Sequence, residues 1–173
     1  MLLKKHIACL RLMLDTCKKH HISLNLKKCI FYVPYGILLG HIVCKQGLLV
    51  DPAQIAFIVN FPAPQIVRQM HTTLGHTGYY IKFIKGYAQI ISPIEKLLKK
   101  YFTFKWDKDC QKSMDILKEK MLTMPILVFL NWNKEFHVHV DAYCIELGIV
   151  LAQPRAGEVD HLIYFASRKL SKA

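Results

Sequence analysis

His137, His139 and Asp141 alternate along Phe136-His137-Val138-His139-Val140-Asp141-Ala142, so a strand through this segment puts all three on one face. Two imidazoles and a carboxylate are metal-ligating groups. A tetrahedral zinc site would still need a further ligand from elsewhere in the chain, and the histidines read as surface or half-buried side chains instead. Glu146 is expected at or beyond the turn that ends the strand. A second constellation runs from Arg68 to Lys85. Gly75 and Gly78 fall inside a helical pattern, where each costs about 1 kcal/mol relative to Ala. Two explanations fit the residues. Helices could pack closely at the glycines with Tyr79 and Tyr80 in the core, which is the commoner use of a helical glycine. Alternatively, a sugar–phosphate backbone could approach there, with Tyr79 against a sugar and Arg68, Lys82 and Lys85 on phosphates. The chain has no Gly-rich phosphate loop, no G-x-S-x-G elbow and no H-E-x-x-H pair.

The charge is unevenly spread. Of a net +12, residues 1–100 hold 14 Lys and Arg against 3 Asp and Glu, while the remainder holds 10 against 9. A basic half beside a near-neutral half suggests a surface that faces a polyanion. A hydrophobic content of 53% supports a core and argues against disorder. The longest apolar candidate for a membrane span, Met124 to Leu130, is short and contains Pro125, so no membrane association is expected. Cys9, Cys17, Cys29, Cys44, Cys110 and Cys144 form no C-x-x-C pair and read as reduced, buried thiols of an intracellular protein, cytoplasmic or nuclear.

The elements that must position these groups follow from periodicity. Leu3, Ile7, Leu10, Leu14 and Cys17 share a helix face. Cys29–Val33 and Ile37–Cys44 read as strands about a turn at Pro34-Tyr35-Gly36, and Lys45-Gln46-Gly47 turns again. Asp51-Pro52 starts a short helix that ends before Phe61-Pro62-Ala63-Pro64. Val67 to Ile84 predicts a helix of about 18 to 20 residues. Ser92-Pro93-Ile94-Glu95 has the form of a capping box opening the next helix. Asp107 caps another, burying Cys110, Met114, Leu117 and Met121, and Met124-Pro125 ends it. Strands are expected at Glu135–Val140, Ile145–Gln153 and His161–Ala166, with Pro154-Arg155-Ala156-Gly157 linking the last two.

The order of motifs resembles the Pol polyprotein of gypsy-like LTR retrotransposons over essentially the whole chain. Lys27-Lys28-Cys29 with Phe31 is similar to the end of the reverse transcriptase palm. Leu38-Leu39-Gly40-His41-Ile42-Val43 resembles the hairpin that grips the primer terminus. Gly47 to Pro52 and Phe61 to Pro64 are similar to the approach to the thumb, and Leu74 to Phe83 resembles the thumb helix along the template–primer minor groove. Phe104-Lys105-Trp106, Asp141-Ala142, Gly148, Val150-Leu151 and Tyr164 to Ser171 resemble the start of the RNase H-like region. The implied fold is α+β: a palm-end hairpin (residues 1–50), a helical thumb-like segment (51–100) and an incomplete RNase H-like three-stranded antiparallel sheet (101–173).

The resemblance implies a parent activity of RNA-directed DNA synthesis with RNase H cleavage. It implies nucleic-acid contacts from Leu39, Gly40, His41, Arg68, Gly75, Tyr79, Lys82 and Lys85, and it favours the backbone-approach reading of the glycines. The implied partners are an RNA–DNA hybrid or DNA duplex and the remainder of a Pol polyprotein. Asp141 matches a catalytic, metal-ligating aspartate of the family. Two-ion hydrolysis needs several carboxylates from separate elements. The parent would use Mg2+, and this chain, with Asp141 alone, is expected to bind none and to be inactive. Departures support that expectation: the sequence has no Tyr-x-Asp-Asp motif, Ile81-Lys82 replaces a usual arginine pair, Tyr143 replaces a usual serine, and Glu146 stands where a small residue is usual. The alternatives are a non-catalytic nucleic-acid-binding module or a non-functional relic.

Overall fold

Leu3, Ile7, Leu10, Leu14 and Cys17 do lie on one helix. In the computed structural model, which describes residues 2–100, 102–143, 146–155 and 157–170, they belong to α1 (Leu2–Lys19), which ends on Lys18 and Lys19 where cations suit its C-terminus. The chain forms two compact units, residues 1–36 and 37–173. In the first, Leu3, Ile7 and Leu14 are exposed, and a single 3-10 turn at Leu26–Lys28 is capped by the Asn25 side chain accepting from the Lys27 amide. The strand expected at Cys29–Val33 is absent. Tyr32 has a φ of 56°, which breaks extended backbone, and β1 (Tyr35–Leu38) begins only after Pro34.

The turn expected at Pro34-Tyr35-Gly36 forms instead at Leu39-Gly40. Both residues have positive φ, 49° and 70°, as a two-residue hairpin of primed type requires. β1, β2 (His41–Cys44) and β3 (Gly47–Val50) make a three-stranded sheet in that order, with His41 opposite Val50 and Cys44 opposite Gly47. Gly47 has a φ of 143°, and a Cβ there would collide with the Leu127 carbonyl. Leu48 and Leu127 exchange amide–carbonyl bonds of 2.7 and 3.0 Å, and the next amide, Val128, donates to the Leu162 carbonyl at 2.9 Å.

Asp51 caps α2 (Pro52–Val59) by accepting from the Ala53 amide, with proline at the first helical position as expected. α3 (Val67–Gly78) has 12 residues and stops short of the expected length; a 3-10 turn at Ile81–Phe83 follows. Ser92-Pro93 does not open a helix. α4 (Tyr87–Lys96) starts six residues earlier, at a Gly86 N-cap with a φ of 70°, and carries Pro93 inside it. α5 (Lys108–Leu122) conforms closely: Asp107 accepts from the Cys110 amide at 2.8 Å, and Cys110, Met114, Leu117 and Met121 are all buried. Ile55, Ile58, Tyr80, Phe83, Tyr87, Leu117 and Leu127 share one core cluster; Met70, Ile94, Leu97 and Met114 form a second. Burying a side chain such as Leu117 is worth roughly 1.5–3 kcal/mol. Among the described residues the cysteines are free and only Cys110 is buried: Cys9 is exposed, and Cys17, Cys29 and Cys44 are half-buried; Cys144 lies outside them.

The second sheet is antiparallel, ordered β4 (His137–Tyr143), β5 (Glu146–Arg155), β6 (Glu158–Lys169), with Asp141 opposite Gly148 and Val150 opposite Phe165. Its strands run longer than expected, β5 passing through Pro154 and Arg155; Ile145 and Ser171 lie outside the described residues. α4 packs on one face, where the Ser167 hydroxyl accepts from the Ala88 amide and Lys169 donates to the Ser92 hydroxyl. Among the described residues, no helix is long and apolar enough to cross a membrane.

Candidate nucleic-acid interface

The hairpin turn and α3 are joined by two tyrosines that end the helix. Tyr79 donates its hydroxyl hydrogen to the Leu39 carbonyl at 2.8 Å, and Tyr80 donates to the Gly40 carbonyl at 3.4 Å. A Cβ at Gly40 would lie 2.8 Å from the Tyr80 hydroxyl oxygen, so only glycine serves both the turn and the contact. The His41 ring lies beneath, buried against Tyr79, Tyr80 and Phe83, its Nδ1 2.8 Å from the Leu39 carbonyl. Burial holds the His41 pKa below its ordinary value, which favours the neutral ring with Nδ1–H donating to Leu39. Its Nε2 is buried without a partner.

Between turn and helix runs an open groove of about 540 Å3, lined by Leu39, Gly40, Gln54, His71, Gly75, His76, Tyr79 and Tyr80 among others. Nothing approaches within 4 Å of where a Cβ on Gly75 would sit, so this glycine keeps space open rather than admitting a packed helix. Gly78 has only the Tyr87 hydroxyl nearby, at 3.7 Å. The two tyrosines divide the two explanations between them: Tyr79 is half exposed on the groove, and Tyr80 is core.

Leu39, Gly40, Gly75 and Tyr79 of the expected contacts are thus brought together, with His41 supporting them. The expected cations are not gathered there. Arg68 is exposed in the first turn of α3 but does not line the groove. Lys82 is half-buried with its ammonium 5.5 Å from the Phe83 ring centroid, and burial lowers its pKa. Lys85 lines a different cleft. His71, His76 and Gln54 were missed. The signal for the histidines was available: positions 71, 75 and 79, with 72 and 76, share one helical face.

That other cleft, of about 300 Å3, is lined by Lys85, Gln89, His139, Asp141, Glu146 and Gly148 among others. Asp141 is exposed on β4. Glu146 falls past the end of β4, as expected. It is the first residue of β5, opposite Tyr143 on the face that carries Asp141, and is 5% exposed with neither carboxylate oxygen hydrogen-bonded. His137 and Asp160 form a 2.6 Å bond, which raises the histidine pKa and lowers that of the aspartate; His139 Nε2 is 3.6 Å from the same carboxylate. Among the described residues no three His, Cys, Asp or Glu side chains converge to hold a metal ion. A pair of hydrolytic cations needs more carboxylates than the described residues bring to this cleft.

The fold matches that of a reverse transcriptase segment running into an RNase H-like domain. Residues 106–173 match the RNase H-like domain found in reverse transcriptase. The chain is 33% identical over 98% of its length to the Retrovirus-related Pol polyprotein from transposon 297 of Drosophila melanogaster, of which it spans 16%. It is 32% identical over 84% of its length to an uncharacterized mitochondrial protein of Arabidopsis thaliana, covering 97% of that protein. The foamy viral protease-reverse transcriptase in complex with an RNA/DNA hybrid superposes on 97% of the chain with a TM-score of 0.80 at 16% identity, covering 23% of that structure. The chain belongs to the reverse transcriptase and RNase H-like Pol family of LTR retrotransposons.

Proposed function

We propose that this chain binds the backbone of duplex nucleic acid along the groove between the Leu39-Gly40 turn and α3, and that it carries no catalysis of its own. The open space over Gly75 beside a half-exposed Tyr79 is the observation that carries this reading. A strand could lie there with a sugar against the Tyr79 ring, while Arg68, Lys82 and Lys85 approach phosphates along its course rather than at one point. The foamy viral structures, solved with dsDNA and with an RNA/DNA hybrid, support a duplex as ligand. Within a Pol polyprotein the same segments, 1–50, 51–100 and 101–173, would serve as palm end, thumb and opening of the RNase H-like domain of an RNA-directed DNA polymerase. Asp141 occupies the family's Mg2+-ligating position without the partners that hydrolysis needs, and no hydrolytic step is assigned to it.

The test is binding of an RNA–DNA hybrid across a salt series. Each phosphate contact contributes about −0.9 to the log–log slope on B-form DNA. A flat response, or binding unchanged in Tyr79→Ala, refutes the interface. Mg2+-dependent cleavage of the hybrid that disappears in Asp141→Asn refutes the absence of catalysis.

A further inference from the structure

α2 buries Ile55 and Ile58, yet Phe57 between them is 56% exposed. Its ring is not isolated. The Phe57 centroid lies 4.9 Å from that of Phe61 and 5.8 Å from that of His76, and the Phe61 and His76 centroids are 5.4 Å apart. The interplanar angles are 76°, 79° and 68°, so the three rings meet edge to face and none lies flat on another. Phe61 packs against both core clusters and anchors the group, while Phe57 and His76 are its exposed members.

The ring cluster is continuous with the groove. His76 touches both phenylalanines and also lines the groove, beside Thr72, Gly75 and Tyr79 on one face of α3. Gln54 lines the groove from α2, one turn before Phe57. The surrounding charge bears on what could cover these rings. Neither α2 nor α3 contains an Asp or a Glu, and the sequence has no acidic residue between Asp51 and Glu95, a stretch that carries Arg68, Lys82 and Lys85. A surface without carboxylates favours a polyanion, and aromatic faces beside a backbone groove suit nucleobases, each of which has a flat π-face.

We propose that Phe57, Phe61 and His76 form a subsite for an unpaired nucleobase, so that the preferred ligand of this surface is a duplex with a single-stranded extension. The subsite rests on the reading of the groove given above. The first unpaired base stacks on the exposed Phe57 ring, with His76 bordering it, and its phosphodiester leads back past Gln54 and Thr72 to the duplex. Stacking of this kind accepts any base.

Fluorescence anisotropy of the 173-residue chain with labelled RNA–DNA hybrids tests it. The probes are a blunt hybrid, the same hybrid with a short deoxyadenosine extension at the 5′ or the 3′ end of its DNA strand, and the same extensions made abasic. One extended probe is expected to bind about tenfold tighter than the blunt hybrid, the scale of one base stacked on an aromatic side chain. The abasic extension adds the same phosphates without the flat rings and gives no such gain, a comparison that needs only the wild-type chain. Phe57→Leu keeps apolar bulk but loses the aromatic face and abolishes the gain, whereas Phe57→Tyr retains it; thermal melts that match wild type establish that both variants fold. A blunt hybrid that binds with no gain from either extension overturns the subsite and leaves the groove standing, while a blunt hybrid that fails to bind overturns both. A gain that the abasic probe reproduces, that survives Phe57→Leu or that disappears in Phe57→Tyr also overturns the subsite. So does self-association of the free chain that Phe57→Leu abolishes, which assigns the rings to a second copy.

Discussion

At the hairpin, the carbonyls that the turn points outward are taken up. Leu39 accepts from Tyr79 and from the His41 ring, and Gly40 accepts from Tyr80 and from the Asp51 amide. In the cleft beside β4, Glu146 is buried with both oxygens idle and Asp141 stands exposed a few residues away. One region spends its polar atoms on holding a shape, while the other keeps charged atoms that the shape does not use. The first holds the geometry on which the proposed interface depends. The second gathers no metal-holding set among the described residues.

The contrast can be broken at its strongest point by Gly40→Ala. The substitution forces a left-handed alanine and pushes against the Tyr80 hydroxyl, and it should cost about 2–3 kcal/mol in urea unfolding. Glu146→Leu should move stability the other way, raising it by about 1–3 kcal/mol, because it removes a buried carboxylate with no partner. A loss of stability in that variant would mean that the carboxylate has a partner in solution. Tyr79→Phe deletes one hydroxyl while Leu39 keeps its bond from His41, and should cost about 1 kcal/mol.

The smallest effect is on pH dependence. The His41 pKa is lowered by burial, so its stabilising contribution is complete above the ordinary histidine value of about 6.5 and is lost as pH falls below that through the lowered value. The His137 pKa is raised by Asp160, so its contribution is complete below about 6.5 and is lost as pH rises past the raised value. Melting temperatures from pH 5 to 8 should therefore respond oppositely to His41→Phe and His137→Gln: the first flattens the fall on the acid side, the second the fall on the alkaline side.

Features set by neighbours in sequence were legible. Asp51 and Asp107 cap helices with their own side chains, and the buried positions of α5 follow from a spacing that any amphipathic helix shows. The end of α3 was not legible, because two hydroxyls reaching back 40 residues to the hairpin decide it. Ser92-Pro93 misled because its local pattern is that of a helix start, whereas Gly86 in a left-handed conformation starts the helix earlier and the core holds Pro93 within it. The Leu39-Gly40 turn was hidden from alternation by a leucine in a conformation leucine disfavours; only the likeness to primer-gripping hairpins pointed there. Leu39, Gly40, Gly75 and Tyr79 line one groove, whereas Lys85 lines a cleft completed by strands more than 50 residues away.

Leu127 and Val128 bond to different sheets through consecutive amides, one to Leu48 and the next to Leu162. The connector from α5 to β4 consequently has no slack at that point. A tilt of the hairpin sheet relative to β6 must rupture main-chain bonds rather than swing a loop, so a load on the turn at Leu39 travels into the second sheet as through a stiff lever.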